Sequence, residues 1–438
     1  MNCRNLAVKI LKRVINEGAY SNIVISKELS NSDLSEKDKA LLTEIVYGVL
    51  RRKKTLDIII SNFVKDIKIM DNDVLNILRV AIYQMAFLDK IPSYAACNEA
   101  VDDAKNISEE SSKLVNGILR NYTKNPDDIK VDGNKIDEYA YKFSFEPWMI
   151  RLLIKQYGEE VGKRILAGLN QTPKISVRVN DIKCNYDDVY DELEEMEYCI
   201  EEGFVCPEAI SIKGGSSIQE NPLFKDGKIT VQDESAMLVA PLLELEQNMR
   251  VLDLCSAPGG KTTHIAEIME NKGEVLAFDI HDSKLALIEE NCKRLGVTNV
   301  EVQLGDATKL DPKLISSADR VLIDVPCSGL GIIRKKPEIK WNKKRNDLRE
   351  IIPIQRKIMK NAWEYLKTGG IMIYSTCTLN KEENEENIEW FLNNNKDCKI
   401  KKIFIGKQDN LVYNRDGSLT IMPNENMDGF FVVKLEKQ

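Results

Sequence analysis

The stretch Val251-Leu252-Asp253-Leu254-Cys255-Ser256-Ala257-Pro258-Gly259-Gly260-Lys261 decides how the C-terminal half of this chain is read. Val251, Leu252 and Leu254 are the apolar residues of a buried strand. Pro258 stops that strand, and Gly259 and Gly260 let the backbone turn through positive φ. Thr262, Thr263, His264 and Ile265 then open a helical pattern. A strand, small-residue loop and helix in this order bring a ligand against bare amides at a helix start. A lone Gly-Gly pair is an ordinary βα turn, so the segments on either side must decide.

Downstream, strand patterns alternate with helical ones. The strands are Val251–Leu254, Glu274–Asp279, Val300–Leu304, Arg320–Asp324, Gly370–Ser375 and Gly429–Lys434; the helices are His264–Asn271, Ser283–Leu295, Ile351–Leu366 and Glu382–Asn393. This alternation predicts a mostly parallel sheet covered on both faces, with ligands beyond the carboxyl ends of its strands. Asp253, Asp279, Asp306, Asp324 and Cys377 all fall at those ends. Any one acid there reads equally well as a helix cap; the set reads as a binding crevice. Asp279 stands 18 residues after Lys261, a spacing that suits a carboxylate on ribose hydroxyls. The loop matches neither the dinucleotide glycine pattern nor the Walker pattern. A nucleoside ligand without a pyrophosphate fits better, and S-adenosylmethionine is such a ligand.

Two further constellations carry sulfur: Asp324-Val325-Pro326-Cys327-Ser328-Gly329 and Tyr374-Ser375-Thr376-Cys377-Thr378. A single cysteine is usually a small buried hydrophobe; two on the ligand edge of one sheet suggest chemistry. Cytosine is electron-poor at carbon 6. A thiolate adding there turns carbon 5 into a nucleophile for a methyl group. The step needs a group at ring nitrogen 3 as charge develops, a role for a carboxylate that is protonated or shares a proton. Asp324 is suitably placed for it. Methylation of an exocyclic amine needs no thiol.

The N-terminal region is helical. Leu6, Ile10, Leu11, Val14 and Ile15 share a face, as do Leu41, Leu42, Ile45, Val46 and Val49, then Val74, Leu75, Leu78, Ile82 and Met85. Arg51-Arg52-Lys53-Lys54 reads as a solvated helix end or as a phosphate-contacting patch. Between about 129 and 228 the pattern changes to turns, a helix at Trp148–Tyr157, and short strands at 174–180, 209–212 and 228–232, the mark of a small α+β module. Arg178 and Asn180 sit on its first strand, which packs as a spacer or touches a polynucleotide.

Length and composition limit the alternatives. With 438 residues the chain suggests two or three domains, and 43% hydrophobic residues supply ample core. No apolar run reaches bilayer length. The N-terminus leads straight into an amphipathic helix, so no secretory signal is expected. Ten scattered cysteines without a CxxC pair fit a reducing cytoplasm, and with two histidines a structural zinc is not expected. The net charge of −7 argues against a uniformly basic nucleic-acid binder, though not against a local basic face.

Together, Asp253–Lys261, Asp324–Gly329 and Ser375–Thr378 resemble the Sun-type RNA cytosine-carbon-5 methyltransferases. The N-terminal phrases Leu42–Arg51 and Asn116–Arg120 resemble the NusB-like RNA-binding helical domain, an arrangement similar to the bacterial 16S ribosomal RNA enzymes of that family. The resemblance spans essentially the whole chain. Ser256 departs from the family's alanine but stays small. The resemblance implies an all-α bundle at 1–128, a small α+β linker domain at 129–228, and a Rossmann-like α/β methyltransferase domain at 229–438. It implies that Cys255, Ser256, Ala257, Pro258, Gly259, Gly260 and Lys261 hold the methionine end of S-adenosylmethionine. It assigns Asp279 to the ribose, Asp306 to the adenine side and Asp324 to cofactor and cytosine. Cys377 becomes the covalent nucleophile and Cys327 the thiol that assists product release. The target base must leave its stack to reach such a pocket.

The run Arg334-Lys335-Lys336-Pro337-Glu338-Ile339-Lys340-Trp341-Asn342-Lys343-Lys344-Arg345 follows directly. It reads as an RNA-backbone groove at Arg334, Lys335, Lys336 and Lys340, with Trp341 packed or stacked on a base and Arg51 and Arg52 as a second contact. Asn380 with Glu383 reads as a capping box at an acidic helix start, without catalysis. The expected protein is a cytoplasmic, monomeric, metal-free enzyme that methylates 16S ribosomal RNA and neither contacts DNA nor spans a membrane. A transfer-RNA enzyme and a non-catalytic ribosome assembly factor are the alternatives.

Overall fold

A computed structural model describes residues 2–214 and 217–438, which divide into two compact units. One unit holds residues 2–170 together with Ile333–Lys343; the other holds the described part of Gln171–Ile332 together with Lys344–Gln438.

The first unit is helical. Its helices run Cys3–Ile15, Ser21–Ser30, Glu36–Ser61, Asn72–Phe87, Ser93–Lys105, Glu109–Lys124, Lys135–Phe143, Pro147–Tyr157 and Glu159–Gly168. Ser35, Asp71 and Ser108 cap three of them by accepting backbone N–H bonds in the first turn. The apolar stripes close one core, with Ile10, Leu42, Ile45 and Leu78 wholly buried. Gly48 lets the Tyr83 ring lie against the long helix, since a Cβ there meets that ring at 1.9 Å. Arg51 and Arg52 stand in the middle of Glu36–Ser61, not at a helix end. Charge alone does not tell those positions apart; the apolar stripes that flank the basic run on both sides carry the helix through it.

The second unit carries two sheets. Strands β1 (Ile175–Val179), β2 (Cys199–Glu202), β3 (Ala209–Gly214) and β4 (Ile229–Val231) form a small antiparallel sheet in the order β2-β3-β1-β4. The large sheet comprises β5 (Arg250–Asp253), β6 (Glu274–Asp279), β7 (Val300–Leu304), β8 (Ala318–Asp324), β9 (Leu366–Thr376), β10 (Cys398–Lys401), β11 (Leu411–Tyr413), β12 (Leu419–Ile421) and β13 (Phe430–Lys437). Its path is β11-β12-β13-β9-β8-β5-β6-β7, with β10 also on β13. Strands β5 to β9 are parallel, as the alternation predicts. The four strands β10 to β13 join by antiparallel pairing. The large sheet is therefore mixed rather than mostly parallel. Of those four only β13 is legible in sequence; β10, β11 and β12 are three or four residues long, too short for a period to show.

Both faces of the large sheet are buried. Val251 enters one core with Ile265 and Ile288 of the helices Gly260–Ile268 and Asp282–Leu295. Leu252 enters the other with Ile358, Trp363 and Phe391 of Arg345–Tyr365 and Glu385–Asn394. Each such side chain stabilises the fold by about 1.5–3 kcal/mol through removal of apolar surface from water. This two-sided burial fixes where the five parallel strand ends lie.

Candidate active site

Parallel pairing brings the carboxyl ends of β5 to β9 to one edge. Asp324 is in register with Ser375, and Asp279 with Leu304. Beyond β5, the Ser256 N–H and hydroxyl both donate to the Phe278 carbonyl at 2.9 Å, which ties the loop to β6. The added hydroxyl at Ser256 thus has a partner. Gly259 takes φ 98° before the helix Gly260–Ile268, whose start carries no side-chain cap. Its first amides remain available to an anion. Asp253 lies beneath the loop rather than in a crevice. It accepts the Thr262 hydroxyl at 2.7 Å, and burial pushes its carboxyl up to about 6 against that bond.

Asp279 Oδ1 accepts the His281 N–H at 2.9 Å and Oδ2 the Ala257 N–H at 3.3 Å, which leaves each oxygen further acceptor capacity. Ile280 and Leu304, beside it at the ends of β6 and β7, are 58% and 59% exposed. Apolar side chains exposed at a sheet edge suit the faces of a flat heterocycle. Asp306 accepts the Thr308 hydroxyl and N–H, and those bonds hold its carboxyl below the ordinary range.

The reactive centre joins three strand ends. Asp324 accepts the Lys261 amine at 2.5 Å on one oxygen and the Ser375 hydroxyl at 2.7 Å on the other. Burial lowers the Lys261 amine, but the Asp324 charge and hydrogen bond outweigh it and leave the amine above its ordinary value. The Lys261 amine also lies 5.5 Å from the Phe430 ring centroid. The thiols of Cys327 and Cys377 approach to 3.3 Å. The Cys327 thiol is held well above its ordinary pKa, first by the bond to Cys377 and then by burial. The edge thus holds a thiol pair, a lysine-carboxylate pair and an uncapped helix start.

The basic run divides at its end, and Ile333–Lys343 belongs to the helical unit. Lys340 is wholly buried, donating to the carbonyls of Arg51 and Ser144 at 3.0 Å and to Asn170 Oδ1 at 2.6 Å. Trp341 donates its ring N–H to the Leu50 carbonyl at 2.8 Å and packs on the helical core. Arg334 is 1% exposed. Lys340 and Arg334 therefore do not offer RNA a surface in this conformation, which corrects their reading as groove residues, and half-buried Trp341 takes the packed one of its two readings. An apolar sequence around them, Ile332, Ile333 and Ile339, is the signal that a solvated basic loop lacks. Lys335 and Lys336 are half-buried, as are Arg51 and Arg52, whose charges burial disfavours.

Three supporting residues have roles that the sequence does not disclose. Arg178 is wholly buried: it pairs with both oxygens of Glu267, bonds Gln232 and Thr263, and donates to the Gly260 carbonyl at 2.9 Å. Asn180 beside it donates to the carbonyls of Gly227 and Leu295. Neither faces a polynucleotide. Their strand alternates as if one face met solvent, and one sequence does not reveal that a helix covers it. Glu383 is wholly buried, and the helix that the acidic stretch predicts starts only at Glu385.

Among the described residues there is no group of acidic, histidine and cysteine side chains able to hold a metal, and no helix is long and apolar enough to cross a membrane. Comparison with known proteins matches residues 240–436 to the family described as 16S rRNA methyltransferase RsmB/F. Residues 1–124 match the NusB family, and 145–219 the ferredoxin-like domain of RsmF/B-like methyltransferases. The chain is 34% identical to a probable ribosomal RNA small subunit methyltransferase B of Bacillus subtilis, over 99% of this chain and 98% of the relative. It is 35% identical to the protein of the same description from Synechocystis, over the full length of both. Among solved structures, a methyltransferase homolog from Pyrococcus horikoshii superposes with TM-score 0.61 at 26% identity, over 70% of this chain and all of that one. NSun6 from the same organism, solved with SFG, an S-adenosylmethionine analogue, gives 0.60 at 25% identity over 68% and 99%.

Proposed function

The chain belongs to the RsmB/F family of 16S rRNA methyltransferases, and from that premise we propose that it methylates carbon 5 of a cytosine in 16S ribosomal RNA through a covalent bond between Cys377 and the base. S-adenosylmethionine is the cofactor, and when bound it supplies an electrophilic methyl group. The residues fit it. The uncapped start of Gly260–Ile268 suits the methionine carboxylate, Asp279 the ribose hydroxyls, and Ile280 and Leu304 the adenine faces, with Asp306 on the adenine side. Cys255 to Lys261 form the loop on which the methionine end rests.

The observation that carries the reading is the thiol pair at 3.3 Å at the same strand ends as the Asp324–Lys261 pair. Cys377 adds to carbon 6 as its thiolate, and the ring electrons move toward carbon 5. Asp324, sharing the proton that the Lys261 ammonium donates in their hydrogen bond, steadies charge at ring nitrogen 3 as the adduct forms. After methylation, a base takes the proton from carbon 5, the freed electron pair restores the ring double bond, and the carbon–sulfur bond breaks with its pair returning to the Cys377 thiolate. Cys327, whose proton is held by its neighbour, assists that release. The helical domain, with Arg51, Arg52, Lys335 and Lys336, supplies RNA phosphate contacts. The substrate class implies a cytoplasmic enzyme acting on RNA, not DNA.

The test is label transfer from S-adenosylmethionine to unmodified 16S ribosomal RNA, transfer RNA and DNA. The expected result is 5-methylcytosine in 16S ribosomal RNA alone, abolished by Cys377→Ala. Label only in transfer RNA changes the substrate and keeps the chemistry. RNA binding without label to any substrate points to an assembly factor.

A further inference from the structure

We propose that Glu383 is a positioning residue that holds the Cys327 loop against the Cys377 loop and thereby governs release of the methylated base. This rests on the roles given above to the two thiols. Glu383 sits in the acid-rich stretch Glu382–Glu386, which sequence alone assigns to a helix start. Its carboxylate instead receives four hydrogen bonds with no exposure to solvent. Oε2 accepts the Ser328 N–H at 2.9 Å and the Gln355 amide at 3.0 Å; Oε1 accepts the Ser328 hydroxyl at 2.5 Å and the Asn380 amide at 3.0 Å.

Three of these four donors come from the segments that carry the thiols, and Gln355 comes from the helix Arg345–Tyr365. Ser328 follows Cys327, and Thr378 follows Cys377. The two hydroxyls are 2.7 Å apart, and the Asn380 N–H donates to Thr378 Oγ1 at 3.2 Å. Each hydroxyl has one proton. The Ser328 proton goes to Glu383, so Thr378 donates to Ser328, and the chain runs Asn380 to Thr378 to Ser328 to Glu383. Gln355 donates also to the carbonyl of Pro326, just before Cys327, at 3.0 Å. The residues on both sides of Cys327 are thus fastened to one carboxylate, which is itself six residues from Cys377. Only an acceptor at both oxygens satisfies this set. A glutamine turns a donor toward the amides of Asn380 or of Ser328 and Gln355, leaving buried donors facing each other.

The experiment uses the full-length protein with Glu383→Gln and Ser328→Ala. Ser328→Ala removes the hydroxyl bridge and keeps the backbone bond. The first readout needs no RNA. Diamide takes two hydrogens and two electrons from the paired thiols and becomes a hydrazine, leaving a Cys327–Cys377 disulfide. We expect that reaction to slow about tenfold in Glu383→Gln, because the thiols lose their shared anchor. The second readout follows methylation of 16S ribosomal RNA. Turnover falls about 100-fold in Glu383→Gln, covalent protein–RNA adduct accumulates, and KM for S-adenosylmethionine stays within about twofold. Ser328→Ala shows the same pattern more weakly and decides the matter where Glu383→Gln does not fold. Wild-type disulfide rate and turnover in both variants overturn the proposal. Losses that follow the unfolded fraction or the cofactor KM also overturn it, reducing Glu383 to a packing role. A slowed disulfide in an enzyme that forms no adduct even as wild type supports the clamp geometry but overturns its assignment to base release, and it overturns the catalytic reading rather than the packing of Glu383.

Discussion

Lys261 and Lys340 mark two regions of the molecule where a lysine leaves water, and their surroundings treat the charge in opposite ways. Lys261, with 15% of its side chain exposed, meets the carboxylate of Asp324 at 2.5 Å, and its amine is raised above the ordinary value. Lys340 is wholly buried and donates to three neutral oxygens, and burial, then Arg52 and Arg51, lower its amine well below 10.5. A buried lysine paired with an acid at a sheet edge keeps a proton in place for chemistry. A buried lysine filling carbonyls stitches a segment to its unit at an electrostatic cost. The sequence shows both as lysines beside glycine or tryptophan and does not distinguish them.

The largest effect that separates the two regions is expected at Lys261. Lys261→Met lowers methyl transfer about 100- to 1000-fold by removing the proton shared with Asp324, with a melting loss too small to account for it. A melting loss that matches the activity loss breaks the contrast. Lys340→Met is the converse. It strands two carbonyls and the Asn170 amide oxygen, at about 1–3 kcal/mol for each buried group left unpaired. Urea unfolding is expected to show the loss in the helical unit, with methylation per folded molecule unchanged.

A smaller effect comes with pH. The folded-state amine of Lys340 lies below 10.5, so between the two values the unfolded chain binds more protons and stability rises with pH. Lys261 acts in reverse: its contribution is complete below 10.5 and is lost as pH passes its raised value. Unfolding followed by a probe in the helical unit should therefore show an alkaline gain that Lys340→Met abolishes; a gain retained in the variant removes Lys340 as its source. The smallest effect concerns what remains of the basic run. Lys335→Ala with Lys336→Ala is expected to flatten the salt dependence of RNA binding by about 0.7–0.9 in slope for each phosphate no longer neutralised. An unchanged slope ends the RNA reading of this run.

What is legible in the sequence follows from period and place. Six strand patterns map onto the large sheet, because each is long enough for apolar residues to show, and β5, β6, β8 and β9 each end in a polar residue. The strand ends put Asp279, Asp306, Asp324 and Cys377 on one edge from pattern alone, and the parallel pairing agrees. Partners are not legible. Nothing in one sequence joins Lys261 to Asp324 across 63 positions, or Arg178 to Glu267 across 89. Glu383 and Lys340 mislead for a shared reason: charge composition predicts solvent, and both are taken inside by hydrogen-bond partners from distant segments. The short antiparallel strands β10 to β12 are set by pairing with β13 and with each other rather than by their own pattern.

Whether Cys377 forms the bond to cytosine and Cys327 assists its release is open to direct measurement. Wild type, Cys327→Ala and Cys377→Ala are incubated with S-adenosylmethionine and unmodified 16S ribosomal RNA. Protein is then resolved from protein–RNA adduct under denaturing conditions, and the attached peptide is mapped by mass spectrometry. The predicted result is an adduct that accumulates in Cys327→Ala, maps to Cys377, and is absent from Cys377→Ala. An adduct that persists in Cys377→Ala and maps to Cys327 contradicts this assignment and exchanges the roles of the two thiols.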